Sequence, residues 1–237
     1  MPTEVVLLHG FTQTGRSWAP VAAALAERYR CFMPDLPGHG DASWRRPATF
    51  GAVTAYLAAL KTERFVLCGY SMGGRLALQA ALALPSRVER LVLIGASPGI
   101  DDPAERAQRR TTDDVLADRI EAGGLEAFLD EWGELPLFAS QPPGVARAAR
   151  EDRLRNTAPG LAAALRGMGT GVMEPLWGRL GELGMPVTLV AGEHDEKFRA
   201  IAERMARAIA HPSLIVVQGA GHAAHLERPG YVADILR

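Results

Sequence analysis

Apolar residues along the chain fall into two recurring patterns. Short, dense runs of Val, Leu and Ile without alternation occupy 4–9, 30–34, 65–69, 88–94, 186–191 and 213–217. Such runs predict strands covered on both faces of a sheet. Between them, helical spacing appears over 17–29, 50–60, 72–84 and 200–210, with a last short helix near Tyr231. Alternating strand and helix predicts a parallel sheet with right-handed crossovers. The rhythm breaks once. From Ser97 to Leu183 no strand is predicted, and the stretch is rich in Arg, Ala, Asp and Glu. It shows helical spacing at 113–122 and 125–132, with punctuation at Pro136, Pro142-Pro143-Gly144 and Pro159-Gly160. The predicted organisation is an α/β core of 1–96 and 184–237 interrupted by an inserted helical cap at 97–183.

Composition narrows the picture without changing it. The 237 residues are 48% hydrophobic, enough for one large core. A net charge of −1 offers no basic stripe for a nucleic acid. No apolar run approaches the roughly 18 residues that span a bilayer. Met1-Pro2-Thr3-Glu4 leads directly into an apolar run, without the basic segment and cleavage site of a secretory signal. A cytoplasmic protein is expected, with no nucleic-acid or membrane partner. Cys31 and Cys68, both in strand-like runs, are expected as two buried, reduced thiols. No His or Cys pair has ligand spacing backed by a third ligand, so no metal is expected.

The chemistry concentrates at Gly69-Tyr70-Ser71-Met72-Gly73-Gly74, a G-x-S-x-G pattern between a predicted strand and a predicted helix. That context is what a nucleophile elbow requires: a cramped turn exposes the serine, and small neighbours make room for it. The helix start aims free N–H groups and partial positive charge at the reacting oxygen. A serine hydroxyl needs a base partner. His222, in Ala220-Gly221-His222 just past the last strand, fills that slot, with His225 as a rival. The carboxylate that orients the imidazole should follow the preceding strand, where Asp195 stands with Glu193 as its rival. His9 is expected to support its turn, and His194 to face solvent. An oxyanion hole needs two preorganised donors, predicted to be the backbone N–H groups of Met72 and Phe11.

With these residues in place, the chain resembles the α/β-hydrolase superfamily. The landmarks are Leu8-His9-Gly10-Phe11, Asp35-Leu36-Pro37-Gly38-His39-Gly40, the elbow and Ala220-Gly221-His222. A narrower resemblance is to the 2-succinyl-6-hydroxy-2,4-cyclohexadiene-1-carboxylate synthases of menaquinone biosynthesis. It is carried by Arg75 after the elbow, and by Gly95-Ala96-Ser97-Pro98-Gly99-Ile100 with Glu105-Arg106, Arg109-Arg110 and Asp113. Phe128-Leu129-Asp130-Glu131-Trp132 and Gly192-Glu193-His194-Asp195-Glu196-Lys197-Phe198 continue it. Gly133 stands where that family often has an aromatic residue, and His194 where it often has arginine.

That resemblance implies a cofactor-independent elimination of pyruvate from a small anionic substrate, with Ser71 and His222 as base. It also implies cationic binding groups: Arg75, one of Arg109 and Arg110 (Arg109 preferred), and Lys197, with Tyr70 and Trp132 lining the pocket. The alternatives are a serine hydrolase of small esters or carbon–carbon bonds, and a non-catalytic ligand receptor. Pocket charge discriminates among them, because an arginine desolvated beside the nucleophile costs several kcal/mol unless an anion meets it.

Overall fold

The dense apolar runs assemble into one six-stranded sheet, every neighbouring pair parallel, in the order β2-β1-β3-β4-β5-β6. The strands are β1 (Thr3–Leu8), β2 (Tyr29–Phe32), β3 (Phe65–Tyr70), β4 (Val88–Ile94), β5 (Val187–Gly192) and β6 (Pro212–Val217). The computed structural model describes residues 3–237; Met1 and Pro2 of the leader reading lie outside them. The helices, in chain order, are α1 (Ala19–Leu25), α2 (Phe50–Ala58), α3 (Met72–Ala83), α4 (Pro103–Gly123), α5 (Leu125–Gly133), α6 (Pro143–Arg153), α7 (Ala158–Met168), α8 (Glu196–Ala206), α9 (Ala224–Glu227) and α10 (Pro229–Leu236).

Two apolar layers cover the sheet. Leu57 of α2, Leu76 of α3 and Met205 of α8 pack with Leu67 and Leu189 on one face. Val21 of α1 and Val232 and Leu236 of α10 pack with Val5, Leu7 and Val92 on the other. Burial on both faces explains why β3 and β5 carry no polar alternation. The edge strand β2 does alternate, so Cys31 is only half-buried while Cys68 is fully enclosed. The expectation of two buried thiols therefore holds for Cys68 alone.

The insertion between β4 and β5 carries α4 to α7 and has its own apolar centre, built from Ala117, Ile120, Phe128, Leu129, Leu161 and Leu165. Beyond α7, Met173, Leu176, Leu180 and Leu183 join the main apolar layer, as do Ala164 and Met168 of α7 itself. The two punctuated stretches are helices as well. Pro143 and Pro159 occupy first-turn positions of α6 and α7, where a missing N–H costs nothing. Helix α4 starts ten residues before its predicted start, capped by Asp102, whose carboxylate accepts the Glu105 N–H at 2.8 Å. Among the described residues, no helix is long and apolar enough to cross a membrane.

Strand order reverses between β1 and β3, the neighbours that lead to Phe11 and Ser71. Open parallel sheets bind ligands beyond the carboxyl ends of their strands at such a reversal.

Candidate active site

Ser71 sits between β3 and α3 with φ of 51° and ψ of −109°, a conformation rarely adopted by a side-chain-bearing residue. Close packing enforces it. A Cβ at Gly69 would lie 2.2 Å from the Gly73 carbonyl oxygen, and one at Gly73 would lie 2.2 Å from that of Leu8. The Ser71 N–H is tied to the Ile94 carbonyl at 2.8 Å, which leaves the side chain directed outward, partly exposed.

His222 arrives on the loop after β6. Its Nε2 lies 3.2 Å from Ser71 Oγ and its Nδ1 lies 2.6 Å from Asp195 Oδ2. With Nδ1–H donating to the carboxylate, Nε2 is left to accept the serine proton. The ring is held on several sides. Phe198 and Tyr70 pack against it at 4.5 and 5.1 Å between centroids. Gly95, at φ 54°, leaves the space that a Cβ would take 2.8 Å from His222 Cε1. Asp195 also caps α8, its Oδ1 accepting the Phe198 N–H at 3.4 Å. That helix begins one residue after Asp195, four earlier than its spacing predicted, because the cap fixes the start. Both His222, 2% exposed, and Asp195, 6% exposed, are shielded from water.

The rivals point elsewhere. Glu193 accepts the Gly219 N–H at 2.8 Å. His225 is fully buried, its Nε2 3.2 Å from Gln13 Oε1, and burial together with nearby His222 and His9 lowers its pKa to about 3. His9 supports its turn: Nε2 accepts the Leu36 N–H at 3.0 Å and Nδ1 lies 2.9 Å from the Gly10 carbonyl. His194 is exposed. The backbone N–H groups of Phe11 and Met72 donate to no protein acceptor among the described residues.

These groups open on a cavity of about 220 Å³ between core and cap, lined by Phe11, Ser71, Met72 and His222 together with Arg75, Arg109, Trp132 and Lys197. Arg75 is 9% exposed, and the only hydrogen bond of its guanidinium among the described residues runs to the Met168 carbonyl at 2.8 Å. Its guanidinium lies 5.8 Å over the Phe50 ring, and burial lowers its pKa to about 10. Arg109 meets Asp113 at 2.7 Å through Nε. Arg110 is exposed and does not line the cavity. Lys197 is exposed at the α8 end of the cavity.

Tyr70 corrects the sequence expectation. It does not line this cavity, because its ring is buried against His222, His225 and the backbone at Gly10. Burial pushes its phenol well above the usual range. Arg153 at the end of α6 is buried over the Phe138 ring at 4.7 Å, outside the cavity lining, with no acceptor for Nε among the described residues. Phe198, Leu137 and Met168, which complete the apolar wall, were missed by sequence reading. The D-x-x-F spacing from Asp195 to Phe198 could have suggested the first; nothing local marks the others. Among the described residues, no group of His, Cys, Asp and Glu is arranged to hold a metal ion.

A serine on an elbow at the carboxyl end of β3, joined through histidine to an aspartate after β5, defines a protein class. A model of the alpha/beta hydrolase family matches residues 5–235, and the chain belongs to that family. Within it, the chain is 40% identical to a Bacillus subtilis protein provisionally named 2-succinyl-6-hydroxy-2,4-cyclohexadiene-1-carboxylate synthase, over 98% of this chain and 88% of that one. It is 35% identical to the Salmonella paratyphi A protein of that name, over 98% and 92%. The solved structure of MenH from S. aureus superposes with a TM-score of 0.93 at 34% identity, covering 99% of this chain and 91% of that one.

Proposed function

We propose that the chain is a 2-succinyl-6-hydroxy-2,4-cyclohexadiene-1-carboxylate synthase, a carbon–oxygen lyase. The reaction removes a ring proton from 2-succinyl-5-enolpyruvyl-6-hydroxy-3-cyclohexene-1-carboxylate, breaks the bond to the enolpyruvyl oxygen and releases pyruvate. Ser71 Oγ, its proton passed to His222, accepts the ring proton; Asp195 stabilises the imidazolium that results, and the imidazolium returns its proton to the departing enolpyruvate, which leaves as pyruvate. The Met72 and Phe11 N–H groups stabilise negative charge on the succinyl carbonyl conjugated to the carbanion. No covalent intermediate is needed.

One observation carries the substrate class. Arg75 is buried in the same cavity as Ser71, and among the described residues its guanidinium has one hydrogen-bond partner, the Met168 carbonyl, with Asp113 acting on its charge without a hydrogen bond. A guanidinium with no carboxylate in hydrogen-bond contact is costly to desolvate, and a bound carboxylate offsets that cost through two parallel hydrogen bonds. Lys197 adds positive charge at the same cavity, where the charge of Arg109 is met by Asp113. Trp132 and Phe11, 5.4 Å apart edge to face, give the ring an apolar wall. Pyruvate release, coupled to its reduction and followed spectroscopically, tests the reading. Turnover of the pathway intermediate should far exceed that of a p-nitrophenyl ester.

The same relay is equipped for acyl transfer, so a hydrolase of small esters is the second reading. It is favoured by the 3.2 Å approach of His222 to Ser71 Oγ. Faster turnover of the p-nitrophenyl ester than of the intermediate selects it.

A further inference from the structure

The turn that presents the Phe11 N–H is strapped from the cap. Thr12, the next residue, has φ of 70°, a region comfortable for glycine and costly for a β-branched side chain. Thr12 is fully buried, and its hydroxyl has no partner among the described residues. Its own side chain therefore compensates for neither cost. Strain of this kind persists only where the surroundings over-determine the conformation.

Asn156 supplies that restraint. It lies buried in the turn between α6 and α7, and its Nδ2 donates to the Thr12 carbonyl at 2.6 Å. The same nitrogen donates to the Arg153 carbonyl at 2.8 Å, while Oδ1 accepts the Gly40 N–H at 3.0 Å. With carbonyls on one side and an N–H on the other, only one orientation of the amide satisfies all three. Asp152 grips the same loop two residues further on, accepting the Thr14 N–H at 2.9 Å and the Thr14 hydroxyl.

We propose that Asn156 is a positioning residue that holds Thr12 in its left-handed conformation and thereby aims the Phe11 N–H at the oxyanion, coupling the cap turn to the catalytic centre. This rests on the reading of the Phe11 N–H as an oxyanion donor. An amide is the group the site demands, since it donates twice and accepts once. Aspartate in its place would keep the acceptor for Gly40 but set negative charge against two carbonyl oxygens. Alanine would release Thr12 outright.

Two measurements on the full chain test it. Amide hydrogen exchange compares Asn156→Ala with the parent, and steady-state pyruvate release separates kcat from KM. Exchange at Gln13 and Thr14 should be about tenfold faster or more, with β3 and α4 unchanged. The value of kcat should fall about 10- to 100-fold, with KM within about twofold, because only transition-state stabilisation is lost. Adding Thr12→Gly should recover about threefold or more of kcat, since glycine holds a positive φ without a strap.

Unchanged exchange across 10–14, a loss confined to KM, or strictly additive effects of the two substitutions would overturn the proposal. Should Asn156→Ala fail to fold, the milder Asn156→Ser is read in the same way. A parent chain that releases no pyruvate counts against the proposed reaction alone; the exchange comparison still decides the role of Asn156.

Discussion

At the scale of single residues, the proposal divides labour between a base and an anion clamp. Ser71→Ala and His222→Ala remove the proton acceptor and its partner, and pyruvate release should fall about a thousandfold or more in each. Arg75→Ala should lower kcat/KM about 10- to 100-fold, the value of one charge-assisted pair, while the far-ultraviolet circular dichroism spectrum stays that of the parent. Arg75→Lys should restore little, because a point charge cannot reproduce a planar fork. The triad was legible in the sequence because each member follows a strand and the family order fixes the roles. The choice of Asp195 over its rival Glu193 turns on direction as well as spacing. It depends on which carboxylate faces the imidazole, and Glu193 is turned to the Gly219 N–H. Tyr70 was misread for a similar reason: adjacency to the nucleophile does not tell which way a side chain turns at an elbow.

At the scale of elements, glycines set the geometry of the elbow. Gly73→Ala should cost about 1–3 kcal/mol in urea unfolding, because the added carbon meets the fixed backbone of Leu8 rather than a side chain that can yield. The six strands were legible because burial on both faces leaves an unbroken apolar run. Helices α6 and α7 were not, since Pro142-Pro143-Gly144 and Pro159-Gly160 read equally well as loops. The missing distinction is positional. Proline ends a helix from within but is well placed in its first turn, and Thr157, which accepts the Gly160 N–H at 3.2 Å, marks the start of α7. Helix α4 was shortened because its first two turns are polar on most sides and show little periodicity, although Asp102-Pro103 announced them.

At the scale of the whole molecule, several neutral histidines are sealed inside. Burial lowers the pKa of His9, His39 and His225, the last to about 3 from 6.5. Their folded-state pKa values lie below the unfolded one, so the unfolded chain binds more protons in between. Stability is then fully present above about pH 6.5 and is lost as the pH falls toward 3. Thermal melts at stepwise lower pH should show Tm declining through that window, and His225→Gln should flatten the decline.

The cavity that unites core and cap is legible in the sequence only in part: the family resemblance points to Arg75, Arg109, Trp132 and Lys197, while Leu137 and Met168 carry no local signal. Its apolar wall comes from α4, α5, α7, the turn at Leu137 and Phe198 of α8, its nucleophile from the end of β3 and its base from beyond β6. In the folded chain Arg75 and Arg109 line one space, Arg109 paired there with Asp113, and the proposed anion clamp rests on Arg75.

The most direct test of that claim is pyruvate released from the enolpyruvyl intermediate by the parent chain and by Arg75→Ala, with p-nitrophenyl acetate hydrolysis measured on both. Rapid release by the parent, a loss of about 10-fold or more in the variant, and ester hydrolysis little changed are the predicted result. Equal pyruvate release by the two chains, or none from the parent alongside brisk ester hydrolysis, would contradict it.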